Sequence, residues 1–228
     1  MSTLEDAGPP PGERPLRRDA ERNRRRMLQA AAEVFATRGL AATLDDVAHH
    51  AGLGVGTVYR RFADKDALVE ALFEARVRDL VDLAETACAA EDPWAGLVAY
   101  LEGASARMAS DRGLREAVLS PAHGHVGVTL ARAELGPRVE RLTALCRDSG
   151  RLRPDVSGTD VATLLHAVQA AADIGGVAHP DHWRRTLGLL LDGLTPSRTG
   201  HRALPGAALT SEDFHEAMTA RGRRSPRR

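Results

Sequence analysis

Two short apolar patterns, three residues apart, constrain this chain more than anything else in it. Between Thr43 and Phe62 it reads TLDDVAHHAGLGVGTVYRRF. Leu44, Val47, Ala48 and Ala51 fall at i, i+3, i+4 and i+7, one face of a helix that Gly52 ends. Val58 and Phe62, at i and i+4, give the next stretch an inner face of its own. Helices this short do not hold themselves together in water. Both must pack on neighbours, and Gly52-Leu53-Gly54 is too short to be more than a tight turn between them.

The local chemistry supports that reading. Thr43 is a good N-cap, and Asp46 three residues later comes close to a capping box. Ala48 is small enough for a second helix to cross closely. Gly52 permits the left-handed backbone of the turn. Two short helices joined in this way have helix-turn-helix geometry. With Val58 and Phe62 inward, the outer face carries Val55, Gly56, Thr57, Tyr59, Arg60 and Arg61. A helix of that size fits the major groove of B-DNA.

Helical patterns continue on both sides. Leu28, Ala31, Ala32 and Phe35 form one stripe of a helix from about Asp19 to Arg38, stopped by Gly39. Asp64 caps a longer helix from Lys65 that reaches Cys88, with Leu68, Leu72, Val77, Leu80 and Ala84 inward. Asp92-Pro93 opens a helix through Met108, and Asp111 caps a short one to about Ser120. Residues 121–127 read as a loop, and 128–149 as a helix interrupted near Gly136-Pro137. Ser157 and Asp160 repeat the capping-box signal ahead of VATLLHAVQAAADI, and a last amphipathic helix runs from Asp181 to Leu194. The expected fold is all-α: an N-terminal three-helix helix-turn-helix domain (17–64) and a C-terminal helical domain (65–196). A disordered arm (1–16) and a basic, mostly disordered tail (197–228) flank them; within the tail, Thr210 or Ser211 can cap a short helix.

Charge is balanced overall, with 31 basic and 31 acidic residues, but unevenly placed. Arg14 to Arg26 holds seven arginines and two acids, and Arg198 to Arg228 seven arginines and three acids. A basic N-terminal edge on an acidic body suggests a polyanion bound at one end. Lys65 is the only lysine, so arginine by itself is weak evidence of recognition. No apolar run approaches the roughly 18 residues of a membrane helix. The N-terminus has acids and prolines where a signal peptide needs positive charge and an apolar stretch. A cytoplasmic protein is expected.

Other classes find little support. Cys88 and Cys146 make neither a disulfide framework nor a zinc site. His123 and His125 lie in a glycine loop without a partner at metal-ligand spacing. His49 and His50, adjacent on a helix, point about 100° apart. There is no nucleophile elbow, phosphate loop or zincin motif. No catalytic residue, metal or cofactor is expected. A helical metal enzyme and a helical interaction protein without DNA binding are the rival readings.

Residues Phe35, Gly39, Thr43, Val47, Ala48, Ala51, Gly52, Gly56-Thr57-Val58-Tyr59, Phe62, Lys65 and Leu68 together resemble the DNA-binding domain of the tetracycline-repressor (TetR) family of bacterial regulators. The resemblance covers about residues 20–70. It departs at Gly54, often serine in the family, and at Val55, often polar there and here able to offer only an apolar contact. The resemblance implies double-stranded DNA as a partner. Thr43 would set a hydroxyl and a helix N-terminus against a phosphate. Gly56 would let the backbone approach. Thr57 and Tyr59 would contact phosphate or base edges, and Arg60 and Arg61 would reach the groove. Lys65, Arg22, Arg24 and Arg25 would hold the DNA backbone.

The resemblance also implies a homodimer built from the last two long helices, and a pocket for a small-molecule effector. The sequence agrees with the first point, because VATLLHAVQAAADI is apolar on more than one stripe. Pocket candidates are Trp94, Leu97, Leu101, Met108, Leu119, His123, His166 and Gln169, most of which would serve equally as core. His166 and Gln169 are polar groups on an apolar helix, able to orient a ligand or to bond across a dimer. A small, mostly apolar effector is expected.

Overall fold

The computed structural model describes residues 13–38, 42–110, 126–176, 178–196, 203–214 and 216–217. Among them every regular element is a helix: α1 (Glu13–Arg38), α2 (Leu44–Ala51), α3 (Val55–Arg61), α4 (Lys65–Cys88), α5 (Pro93–Ser110), α6 (Val126–Asp148), α7 (Gly158–Gly175) and α8 (His182–Leu194). None is long and apolar enough to cross a membrane. The chain divides into two compact units after Leu72, so the first two turns of α4 belong with the helix-turn-helix rather than beyond a boundary at 64.

In the first unit α1 packs on α2 and α2 on α3. The capping box at Thr43 and Asp46 is formed, and Gly52 ends α2 at φ +62°. Ala31, Val47, Ala48, Val58 and Leu68 are fully buried, with Phe62 and Leu72 nearly so. Phe35, expected in the core, is only half-buried. α1 begins at Glu13 rather than Asp19, which removes 13–16 from the expected disordered arm. Pro15 does not prevent this, because the first turn of a helix needs no N–H donors.

The second unit surrounds α5, which packs against α6, α7 and α8. Asp92 caps α5 through the Trp94 N–H at 2.9 Å, as expected. Gly96 lets α5 close on the end of α4, since a Cβ there would stand 2.4 Å from the Ala87 carbonyl. The helix, expected to be kinked or broken by proline near Gly136-Pro137, is continuous there: α6 runs through Pro137. Ala133, four residues back, is exposed, so water can satisfy its carbonyl, the one that proline leaves without a donor. The loop expected over 121–127 ends earlier, since α6 already includes Val126 and Gly127; the helix expected over 111–120 lies outside the described residues. The Ser157–Asp160 capping box opens α7. Trp183, Leu187 and Leu194 bury one face of α8, as expected. Cys88 and Cys146 are free thiols, and burial pushes Cys146 up to about 11.

Residues 203–214 depart from the expected disordered tail. The Thr159 hydroxyl donates to the Leu209 carbonyl at 2.8 Å. The Leu204 N–H donates to Asp155 at 3.2 Å. Thr210, of the two caps considered, is the one used: its hydroxyl accepts from the Asp213 N–H at 3.1 Å. The Phe214 ring then lies 6.2 Å from that of His166 on α7.

Candidate nucleic-acid interface

α3 stands on Val58, fully buried, and is closed by Phe62. That fixes its outer face. Val55, Gly56, Tyr59, Arg60 and Arg61 are exposed and Thr57 partly so. Exposed Val55 (44%) and Tyr59 (49%) are large apolar surfaces that the unit makes no effort to bury. The Arg60 guanidinium donates to the Thr57 hydroxyl at 3.3 Å, which steadies it along the helix. α3 has no side-chain cap, because Gly54 supplies none.

Two acids shape the start of α2 beside this face. Asp46 is held below the usual carboxylate range by the Thr43 N–H and hydroxyl, then by Arg38. Arg38 reaches it at 2.8 Å. The Thr43 hydroxyl donates to Asp46 at 2.8 Å and accepts from the Asp46 N–H. Its proton is thus already engaged within the fold. Asp45 lies near the Tyr59 hydroxyl, and its charge raises the phenol above its ordinary value. This link between α2 and α3 has no signal in the sequence.

The basic stretch of α1 is not uniform. Arg22 pairs with Asp19 at 2.6 Å and Arg25 with Glu21 at 3.3 Å, with both arginine side chains mostly exposed. Arg24 is half-buried. Arg26 instead donates to the Ala51 carbonyl at 2.9 Å, a structural use that sets it apart from its neighbours. Lys65 opens α4, where Asp64 caps the helix through the Ala67 N–H at 2.8 Å.

Leu97, Leu101 and Met108 are fully buried in the core of the second unit, and Trp94 packs at its edge. His166 meets Phe214 of the C-terminal segment. Leu119 and His123 lie outside the described residues. Gln169 is buried and donates to the Ser105 carbonyl at 3.3 Å. An open groove of about 430 Å³ lies elsewhere, between α4 and α5, lined by Leu83, Ala87, Gly96, Ala99 and Tyr100 among others. Among the described residues no three His, Cys, Asp or Glu side chains gather as a metal site.

A helix-turn-helix unit followed by a larger helical unit is the class of protein that this fold and this face define. Residues 27–72 match the bacterial regulatory proteins of the tetR family, and residues 92–196 match the C-terminal domain of SbtR-like transcriptional regulators. A TetR transcription regulatory protein from Mycobacterium vanbaalenii is 35% identical, with 79% of this chain and 99% of that one aligned at a TM-score of 0.62. The TetR transcriptional regulator SCO0520 from Streptomyces coelicolor is 28% identical over 76% of this chain and 99% of its own, at 0.63. The HTH-type transcriptional repressor KstR2 of Mycobacterium tuberculosis is 42% identical over 64 residues, 25% of this chain and 32% of its own. The chain thus spans about a third of the length of that curated relative. The chain belongs to the TetR family of bacterial regulatory proteins.

Proposed function

We propose that this regulator binds a palindromic operator as a homodimer, acts as a repressor in the cytoplasm, and is released by a small, mostly apolar effector. The observation that carries the DNA reading is the outer face of α3. Tyr59, Arg60 and Arg61 stand exposed on a helix whose inner side is locked by Val58 and Phe62. Arginine on such a helix can pair bidentately with guanine, while the arginines of α1 and Lys65 supply sequence-independent phosphate contacts. The repressor name of the relative from M. tuberculosis supports the output.

Dimerisation is supported by what α7 and α8 leave uncovered. Ile174 on α7 is 80% exposed and Leu189 on α8 65% exposed. Two heads reading half-sites one turn apart reinforce each other, where one alone makes few contacts. The effector would favour a conformation whose heads are wrongly spaced, lowering DNA affinity by the same factor by which DNA lowers effector affinity. α4, which runs from one unit into the other, is the lever in this scheme.

The test is genome-wide binding-site selection with the purified chain at stated salt, since phosphate contacts make affinity salt-dependent. A palindromic motif that disappears with Tyr59→Ala plus Arg60→Ala is the expected result. Unchanged binding by that double variant, or no enriched motif with or without cell extract, would overturn it. Crosslinking the heads at their DNA-bound spacing should abolish effector release.

A further inference from the structure

Ser105 on α5 and Gln169 on α7 face each other inside the second unit, 0% and 1% exposed. The Gln169 amide donates through Nε2 to the Ser105 backbone carbonyl at 3.3 Å. That bond orients the side chain and leaves Oε1 turned elsewhere. Among the described residues neither Gln169 Oε1 nor Ser105 Oγ has a hydrogen-bond partner. Burying such atoms unpaired costs free energy that an apolar residue would not.

The fold handles comparable groups differently. The Thr143 hydroxyl, equally buried, donates to the Val139 carbonyl one turn back at 2.7 Å. Ser110 and Thr163 make the same kind of bond. Ser105 makes none. Buried Arg153 is matched by Asp155 at 2.7 Å. On the buried side, Leu101 and Met108 on α5 and Leu165 and Ala172 on α7 are apolar and belong to one core cluster; of the other residues one turn away, Glu102 and Asp173 are exposed and His166 is half-buried. An acceptor and a hydroxyl are therefore buried on two packed helices beside one apolar core, each without a partner among the described residues.

We propose that Ser105 Oγ and Gln169 Oε1 are the polar anchor of the effector site, and that the effector is an uncharged, mostly apolar molecule carrying a hydroxyl group. Gln169 Oε1 can only accept, so its partner must bring a donor. Ser105 Oγ can donate or accept. One hydroxyl does both jobs, donating to Gln169 and accepting from Ser105. A full charge would have no counter-ion in this pair. The inference rests on the effector reading above and gives that effector its chemistry.

The experiment uses the full chain and matched probes differing only at the hydroxyl: 4-heptylphenol with 4-heptylanisole, 1-decanol with its methyl ether, and borneol with its methyl ether. Binding is read by calorimetry and melting temperature, and operator release by fluorescence anisotropy. In at least one pair the hydroxyl member should bind tenfold or more tightly than its ether. Gln169→Leu should bring the two within about twofold, and Ser105→Ala should narrow the gap. Ligand-free Gln169→Leu should melt no lower than the parent, because the substitution removes an unmatched buried acceptor. The inference is overturned if no hydroxyl member binds, if the ethers bind equally, if the preference survives Gln169→Leu, or if that variant melts lower, the sign of a structural hydrogen bond. The outcomes separate the two readings. Equal binding with operator release would leave effector control standing without this anchor. Hydroxyl-selective binding without release would leave the site standing and remove effector control.

Discussion

The Arg26 guanidinium stands 2.9 Å from the Ala51 carbonyl, twenty-five residues away in sequence. It ties α1 to the last turn of α2, where the N–H groups of Gly52 and Leu53 already serve the carbonyls of Ala48 and His49. A cation at a helix C-terminus is also favoured by the helix dipole. Of the arginines in this stretch, Arg26 serves the fold while Arg22 and Arg25 remain at the surface.

That division gives a paired prediction. Arg26→Ala should lower the stability of the helix-turn-helix unit by about 1 kcal/mol, read by chemical denaturation. Arg25→Ala should leave the melting temperature unchanged. It should instead reduce the slope of log affinity against log salt by about 0.9, the share of one phosphate that is no longer neutralised.

On α3, Arg60→Ala and Arg61→Ala should be compared for operator and random DNA. Removing a bidentate pairing with a base costs about 1–3 kcal/mol of discrimination, whereas removing a phosphate partner weakens both DNAs alike. At least one of the two should show the first pattern, measured by anisotropy at fixed salt.

Asp45 offers a spectroscopic check. The chain has two tyrosines, and burial holds Tyr100 far above the range where phenols titrate. Tyr59 should therefore dominate phenolate absorbance in the folded protein. Its titration lies above the ordinary tyrosine value because of the Asp45 charge. In Asp45→Asn it should move down toward that value. The same variant should bind random DNA more tightly, since an acid beside the DNA face repels phosphate.

The contact of the C-terminal segment with Asp155 should depend on pH. Arg153 and then the Leu204 N–H hold the Asp155 carboxyl at about 2, below its ordinary value of 3.8. A lowered folded value means that the stabilising contribution is complete above the unfolded value and is lost as pH falls toward 2. Protection of the Leu204 amide against hydrogen exchange should fade across that window. Asp155→Asn should weaken it at neutral pH.

Glycines at a left-handed helix end and at a close approach should differ in how they fail. Gly52→Ala would meet no steric conflict with its neighbours, Arg26 being 3.6 Å away. Its cost is the left-handed backbone alone, about 1–2 kcal/mol. Gly96→Ala forces a shift of the Ala87 carbonyl, an overpacking cost of about 1–3 kcal/mol. Thermal unfolding should show both losses.

What is legible in the sequence is whatever is decided within one turn. The capping boxes at Thr43 and Ser157, the Asp92-Pro93 start, the end at Gly52 and the inward faces of α2, α3 and α8 all depend on neighbours three or four residues away. Pro137 misleads because the rule against helical proline assumes a carbonyl with nowhere to turn, and here that carbonyl faces water. The Arg26–Ala51 bond, the influence of Asp45 on Tyr59 and the seat of Leu209 on Thr159 join distant residues and leave no periodic trace. Ser105 is half-legible. It continues the stripe of Leu97 and Leu101 at i+4, but a serine is small enough to pass for core, where Gln169 is conspicuous.

The reach from Thr159 to Leu209 has a consequence for how the molecule is made. During synthesis a helical unit near the N-terminus can fold while later residues are still being added. α7 does not share that advantage. Its Thr159 hydroxyl and the His166 ring wait for residues that leave the ribosome about fifty positions later. The DNA-facing half can thus take shape on the nascent chain, while α7 keeps a bare flank until the C-terminal segment arrives to cover it.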